Sequence, residues 1–248
     1  MNDIIIFDVD GTLVESSKII LPVHAEILNK LKEKYTLAIC GGGTKEKIFK
    51  QMNEMIEFDH YFSECGCVYH KKDNENNLVE IYRKNIRNHP CYNKINLLIK
   101  ECLRFFSNVN YTLTGHFIDL RDGLIYISCI GMQANEEERK YFKEYDSIHK
   151  VREILIDTLK RRARTLGIFN EINIKEGGTV GIALYPSECD KIQILETITK
   201  KDYNNIIYFG DRFNIDGNDH MILNSHEVIG HKINSVEETY DILTKTYL

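Results

Sequence analysis

No apolar run in this 248-residue chain approaches the length needed to cross a bilayer, so a membrane-spanning protein is not expected. An excess of basic residues is also missing. Thirty-seven acidic side chains against 32 basic ones give a net charge of -5, which opposes attraction to phosphate backbones and to anionic membranes. Neither nucleic acid nor membrane is therefore an expected partner. The opening Met1-Asn2-Asp3 lacks the positive charge and apolar stretch of a secretory leader, which points to a cytoplasmic protein. The seven cysteines are scattered except for Cys65-Gly66-Cys67, which has no second pair at zinc-ligand spacing. Reduced, mostly buried thiols are expected. Proline is scarce as well: of only three, Pro90 and Pro186 bracket the middle of the chain.

The first apolar run, Ile4 to Phe7, is continuous and rich in β-branched residues, as befits a strand buried on both faces of a parallel sheet. Pro22 then opens a helical pattern, Tyr35 to Cys40 reads as a second strand, and Thr44 caps a helix running through Met52. This alternation predicts a parallel sheet with helical crossovers. The middle reads differently. A helix over Tyr92 to Phe106 precedes two apolar runs joined by Asp122-Gly123, a hairpin signal. Two further helices (136–145, 151–166) and two short strands (169–174, 180–184) follow. Beyond Pro186 the parallel pattern resumes, with a helix from Asp190, a strand over Ile206 to Phe209, a short strand near Val228 and a last helix from Val236. The expected architecture is a doubly wound parallel α/β, Rossmann-like core made of residues 1–82 and 187–248. An α+β cap is inserted over 83–186.

The chemistry gathers at strand ends. Asp8-Val9-Asp10-Gly11-Thr12 stands at the carboxyl end of the first strand, where open α/β sheets place their ligands. One carboxylate can attack phosphorus and the other can move a proton. Two such acids repel unless a cation lies between them, and magnesium suits an all-oxygen donor set. Asp211 and Asp219, in the loop after the Ile206 to Phe209 strand, are the further expected ligands, so that the metal set is Asp8, Asp10, Asp211 and Asp219. Lys191 could set an ammonium against a transferring phosphoryl group.

In order and spacing these segments resemble the haloacid dehalogenase-like phosphotransferase superfamily, and within it eukaryotic α-phosphomannomutases. The resemblance rests on Phe7 to Leu13, Phe117 to Gly123, Glu137-Glu138-Arg139, Gly177-Gly178, Asp190-Lys191, Tyr208 to Asp211 and Gly217 to His220. It implies that Asp8 takes up the phosphoryl group, that Asp10 is the general acid and base, and that Lys191, Asp211 and Asp219 hold phosphate and magnesium. It further implies a cap that closes over a hexose phosphate and pairs with a second cap in a homodimer. Arg121 and Arg139 stand at cap positions that grip the distal phosphate. Thr12, Gly42, Gly43, Thr44 and Gly178 complete the expected substrate-binding set.

Ser17 and Met132 stand where the family has arginines, and Gly181 and Ala183 stand where it has a serine and an aspartate that hold the sugar. Gly43 replaces a hydroxyl residue, with Thr44 one place on. Each lost guanidinium removes about 1.5 to 3 kcal/mol of charge-assisted hydrogen bonding from the distal-phosphate grip. The expected activity is phosphomannomutase-like conversion of mannose 6-phosphate to mannose 1-phosphate through an aspartyl-phosphate. A sugar-phosphate phosphatase of the same superfamily is the alternative, and the need for a hexose bisphosphate activator is left open.

Overall fold

The computed structural model describes residues 2–248. In chain order the strands and helices are β1 (Ile4–Phe7), α1 (Pro22–Leu31), β2 (Thr36–Cys40), α2 (Lys45–Met52), β3 (His60–Ser63), β4 (Val68–Lys72) and β5 (Leu78–Arg83). Next come α3 (Tyr92–Phe106), β6 (Ile118–Leu120), β7 (Ile125–Ser128), α4 (Glu136–His149), α5 (Val151–Thr165), β8 (Ile172–Gly177) and β9 (Gly181–Pro186). The chain ends with β10 (Ile206–Gly210), α6 (His220–Leu223), β11 (Ile229–Lys232) and α7 (Val236–Ile242). Two compact units result: one runs to Lys84 and resumes at Cys189, the other spans Asn85–Glu188. No helix among the described residues is long and apolar enough to cross a membrane.

The first unit is built on a seven-stranded sheet in the order β11-β10-β1-β2-β3-β4-β5. From β11 to β3 every pairing is parallel. Because successive side chains on a strand point to opposite faces, β1 supplies two cores at once. Ile5 and Phe7 pack with Leu28 and Leu31 of α1, Ile48 of α2 and Tyr240 of α7. Ile4 and Ile6 pack on the other side with Ile194, Ile222 and Leu223. All four β1 residues are fully buried, worth roughly 1.5 to 3 kcal/mol each. That two-sided burial is why the strand reads as an unbroken apolar run.

The strand β3 was not expected, and two further features depart from the expected pattern. A hairpin, β4 and β5, extends the parallel sheet antiparallel at its edge. Its turn is the polar stretch 73–77, where Asp73 accepts the amides of Glu75 and Asn77. The helix expected from Asp190 is instead a 3₁₀ run over Lys191–Glu196. Its tighter winding sends Lys191, Ile194 and Leu195 inward together.

The second unit is a four-stranded antiparallel sheet, β6-β7-β9-β8. Asp122 and Gly123 form the turn between β6 and β7, closed by Arg121 N donating to Leu124 O at 3.0 Å. Ile125, Ile127, Ile174, Ile182 and Leu184 face a core completed by Ile95, Leu98, Cys102 and Phe106 of α3 and Leu155 and Leu159 of α5. The α3 residues recur at helical spacing, the period that made the helix legible. Asn135 and Glu138 form a reciprocal capping box at the start of α4.

Candidate active site

The parallel register sets Phe7 beside Phe209, so the chain leaves β1 and β10 at the same edge of the sheet. Asp8 continues the β1 alternation on the Ile4 and Ile6 side, and its amide donates to Phe209 O at 2.9 Å. One carboxylate oxygen each from Asp8, Asp211 and Asp219 lies within 4.8 Å of the others. The Lys191 ammonium touches two of the three: it pairs with Asp8 Oδ1 and donates to Asp219 Oδ1 at 2.6 Å. Asp219 also accepts from the Tyr208 hydroxyl at 2.6 Å and from the Arg212 amide at 3.0 Å. Small residues make this crowding possible. A Cβ on Gly210 would lie 2.7 Å from Asp219 Cγ, and one on Gly11, whose φ is +93°, would run into the Asp211 carboxylate.

The electrostatics follow from burial. Asp8 is only 5% exposed, and its desolvation pushes its pKa well up; Lys191 opposes this, while Asp219 and Asp211 add to it. Asp211 is pushed up to about 6 by burial, with Asp219 adding to the push and the Arg212 guanidinium opposing it. Lys191, fully buried, is desolvated too, but Asp219 and Asp8 outweigh that and hold its pKa above the usual lysine range. Three carboxylates face two cations, Lys191 on Asp8 and Asp219 and the more exposed Arg212 3.4 Å from Asp211, which leaves the cluster one positive charge short. Asp211 Oδ1 is moreover buried without a hydrogen-bond partner. Hard oxygen donors, a surplus of negative charge and an orphaned carboxylate oxygen fit a divalent cation of the magnesium type.

Asp10, expected among the metal ligands, is placed apart from these three acids. Its side chain lies against one face of α2. There Oδ2 receives Lys47 Nζ at 2.5 Å, and Oδ1 receives Gln51 Nε2 at 2.8 Å and the Ser17 amide at 2.7 Å. Burial raises the Asp10 pKa, but these contacts, led by Lys47, win and lower it, so its resting form is the carboxylate. Neither Lys47 nor Gln51 was foreseen. The available signal was their spacing, four residues apart on one face of a helix beginning beside the nucleophile loop.

The remaining expected residues divide between the two units. Thr12 is fully buried and its Oγ1 has no hydrogen-bond partner. Thr44 caps α2, its hydroxyl accepting from Lys47 N at 3.4 Å, so it already has a structural task. Gly42 and Gly43 form the turn that leads from β2 into that cap. Arg121, Arg139 and Gly178 belong to the second unit. Arg121 pairs with Asp119 at 2.6 Å, and Arg139 is held by the carbonyls of Ala134 and Met132 at 2.8 and 3.0 Å. Gly178, at φ +60°, accepts from Arg152 Nη1 at 3.4 Å.

A parallel α/β sheet with a buried carboxylate at the end of a central strand, flanked by a buried lysine and two further acids, is the construction of a haloacid dehalogenase-like phosphotransferase. The sequence pattern described as eukaryotic phosphomannomutase matches residues 24–248. A Saccharomyces cerevisiae phosphomannomutase is 31% identical over 247 residues, 98% of this chain and 94% of that one. A Nicotiana benthamiana phosphomannomutase is 29% identical over 248 residues, 99% of this chain and 94% of that one. The chain belongs to the eukaryotic phosphomannomutase family. Among solved structures, the ATP-bound Plasmodium falciparum IMP-nucleotidase superposes with a TM-score of 0.73 at 16% identity, a likeness of fold. The match covers 98% of this chain and 59% of that one.

Proposed function

We propose that this chain is a phosphomutase acting on hexose phosphates, interconverting mannose 6-phosphate and mannose 1-phosphate through a phosphoryl group carried on Asp8. The observation that supports this most directly is the buried Asp8 carboxylate, held by Lys191 beside Asp211 and Asp219 at the carboxyl edge of the sheet. Asp8, Asp211 and Asp219 would hold a magnesium ion, which when bound neutralises charge on the transferring phosphoryl group.

The remaining roles belong to the chain. An Asp8 oxygen attacks phosphorus, forming the acyl phosphate as the bond to the sugar oxygen breaks. Lys191 stands ready to neutralise charge on the phosphoryl oxygens and fixes the Asp8 rotamer. Asp10, held as the carboxylate by Lys47 and Gln51, is set to accept the proton of the attacking sugar hydroxyl in the return transfer and to give it back in the forward one. Arg121 and Arg139 carry the distal phosphate in this reading, on the cap formed by the second unit. Seven cysteines without a disulfide suit the reducing cytoplasm.

A sugar-phosphate phosphatase is the second reading, favoured by one observation. The position of a family arginine is taken by Ser17, which offers Asp10 a backbone amide and no guanidinium for substrate. A coupled assay on mannose 1-phosphate, with and without glucose 1,6-bisphosphate and with phosphate release followed in parallel, separates the two. Isomerisation supports the mutase; phosphate release alone overturns it in favour of the phosphatase.

A further inference from the structure

The two sugar-holding side chains missing at 181 and 183 leave a question that the second unit itself answers. Alternation along β7 puts Ile125 and Ile127 into the core and Tyr126 on the opposite face, directly across from Ala183. A Cβ on Gly181 would lie 2.5 Å from both Cζ and Oη of Tyr126. On Gly177 it would lie 3.2 Å from Cε2, and on Gly178 it would be 3.6 Å from the hydroxyl. The phenol thus occupies the space that a serine at 181 would fill, and three glycines and an alanine make room for it.

The surroundings of the ring are those of a ligand site. Arg121 lies over its face, 5.2 Å from the centroid, and is itself oriented by Asp119, the cross-strand neighbour of Tyr126. Burial holds the phenol up at about 12, with Arg121, Arg139 and Arg152 pulling the other way, so it is a protonated donor at neutral pH. Among the described residues none hydrogen-bonds its hydroxyl, although three arginines stand close enough to act on it. A half-buried hydroxyl without a protein partner, beside two arginines assigned to a phosphate, is placed to meet a sugar.

We infer that Tyr126 determines specificity in this enzyme: its hydroxyl replaces the absent serine and aspartate by hydrogen-bonding a ring hydroxyl of the hexose phosphate. The inference rests on the hexose-phosphate reading above. It explains why the glycine at 181 and the tyrosine at 126 occur together, and it makes substrate choice depend on one donor where the family uses two side chains.

The test uses the full-length enzyme and its Tyr126→Phe, Gly181→Ser and Tyr126→Ala/Gly181→Ser variants. Mannose 1-phosphate, its monodeoxy analogues and p-nitrophenyl phosphate, which has no sugar hydroxyls, are compared. In Tyr126→Phe the ratio of kcat/KM on mannose 1-phosphate to that on p-nitrophenyl phosphate falls about three- to tenfold, through KM. One deoxy analogue, a poor substrate for the wild type, loses that disadvantage in the variant. Gly181→Ser lowers the same ratio by displacing the ring, and the double variant recovers part of it. An unchanged ratio, with the deoxy discrimination intact, overturns the role of Tyr126. Wild-type turnover of p-nitrophenyl phosphate with none of any hexose phosphate overturns the underlying reading instead, and this inference with it. If Tyr126→Phe does not fold, the Gly181→Ser and double-variant comparison decides.

Discussion

Lys191 Nζ and Asp219 Oδ1 stand 2.6 Å apart, and neither side chain has any solvent exposure. They are 28 residues apart in sequence and meet because the 3₁₀ run and the loop after β10 converge on the Ile4 face of the sheet. An ammonium so buried is tolerable only while both carboxylates remain. That makes Lys191 a structural member of the acidic cluster in addition to the phosphoryl-binding role proposed for it.

Lys191→Met accordingly leaves Asp8 and Asp219 buried without their shared cation, although Asp219 keeps its bonds from Tyr208 and the Arg212 amide. Metal-free protein should lose about 3 to 5 kcal/mol of stability, read as a shift of the urea midpoint. Magnesium should restore part of the loss. A midpoint unchanged without metal would show that the ion pair contributes nothing.

Asp8→Asn removes the nucleophile while keeping its shape. Turnover should fall at least about a thousandfold, and the phosphorylated protein should vanish from intact mass spectra after exposure to substrate. Persistent labelling at residue 8 would remove Asp8 from this role.

Asp211 carries a pH signature. Its folded pKa of about 6 lies above the ordinary 3.8. Below about pH 4 it is protonated in both folded and unfolded chains and carries no penalty. As pH rises toward 6 the unfolded chain releases its proton first, so stability falls across that window, by up to about 3 kcal/mol. The lowered pKa of Asp10 acts below 3.8, outside it. In chelator, Asp211→Asn should therefore be more stable than wild type at pH 7 and equal to it near pH 4. Magnesium should erase the difference by stabilising wild type alone, which thermal melts at the two pH values check.

Lys47→Met removes the largest contact that keeps Asp10 ionised. The acidic limb of the kcat/KM profile should move to higher pH and kcat should drop about ten- to a hundredfold. A profile that keeps its shape while kcat falls would assign Lys47 to packing alone.

Gly210→Ala drives a methyl group toward the Asp219 carboxyl carbon. It should destabilise the protein by about 1 to 3 kcal/mol and raise the magnesium concentration needed for half-maximal activity. Wild-type behaviour in both titrations would show that the loop yields freely.

The legible parts of the fold were those where one physical cause dominated the sequence. Ile4 to Phe7 lies between two helical layers and had to be apolar throughout. The α3 helix packs one face and kept its period. The β4 and β5 hairpin escaped notice because its residues serve an edge: β5 is largely exposed, with Val79, Glu80 and Ile81 all facing solvent. At the site, motif spacing located the acids, but spacing carries no direction. Asp8 and Asp10 are two residues apart, yet where the chain leaves β1 they meet different partners, Lys191 and Lys47. Tyr208 looked like one more apolar residue of a strand until its hydroxyl was found on Asp219.

Asp8 follows an interior strand of the sheet. Its amide bonds to Phe209 O, joining β1 to β10, two strands that are each paired on both sides in the seven-stranded sheet. Fraying of the edge strand β5 or β11 alone does not break that bond, so slow deuterium exchange is expected there. Heat inactivation of such an enzyme coincides with loss of the whole domain, and its catalytic strand endures as long as the protein does.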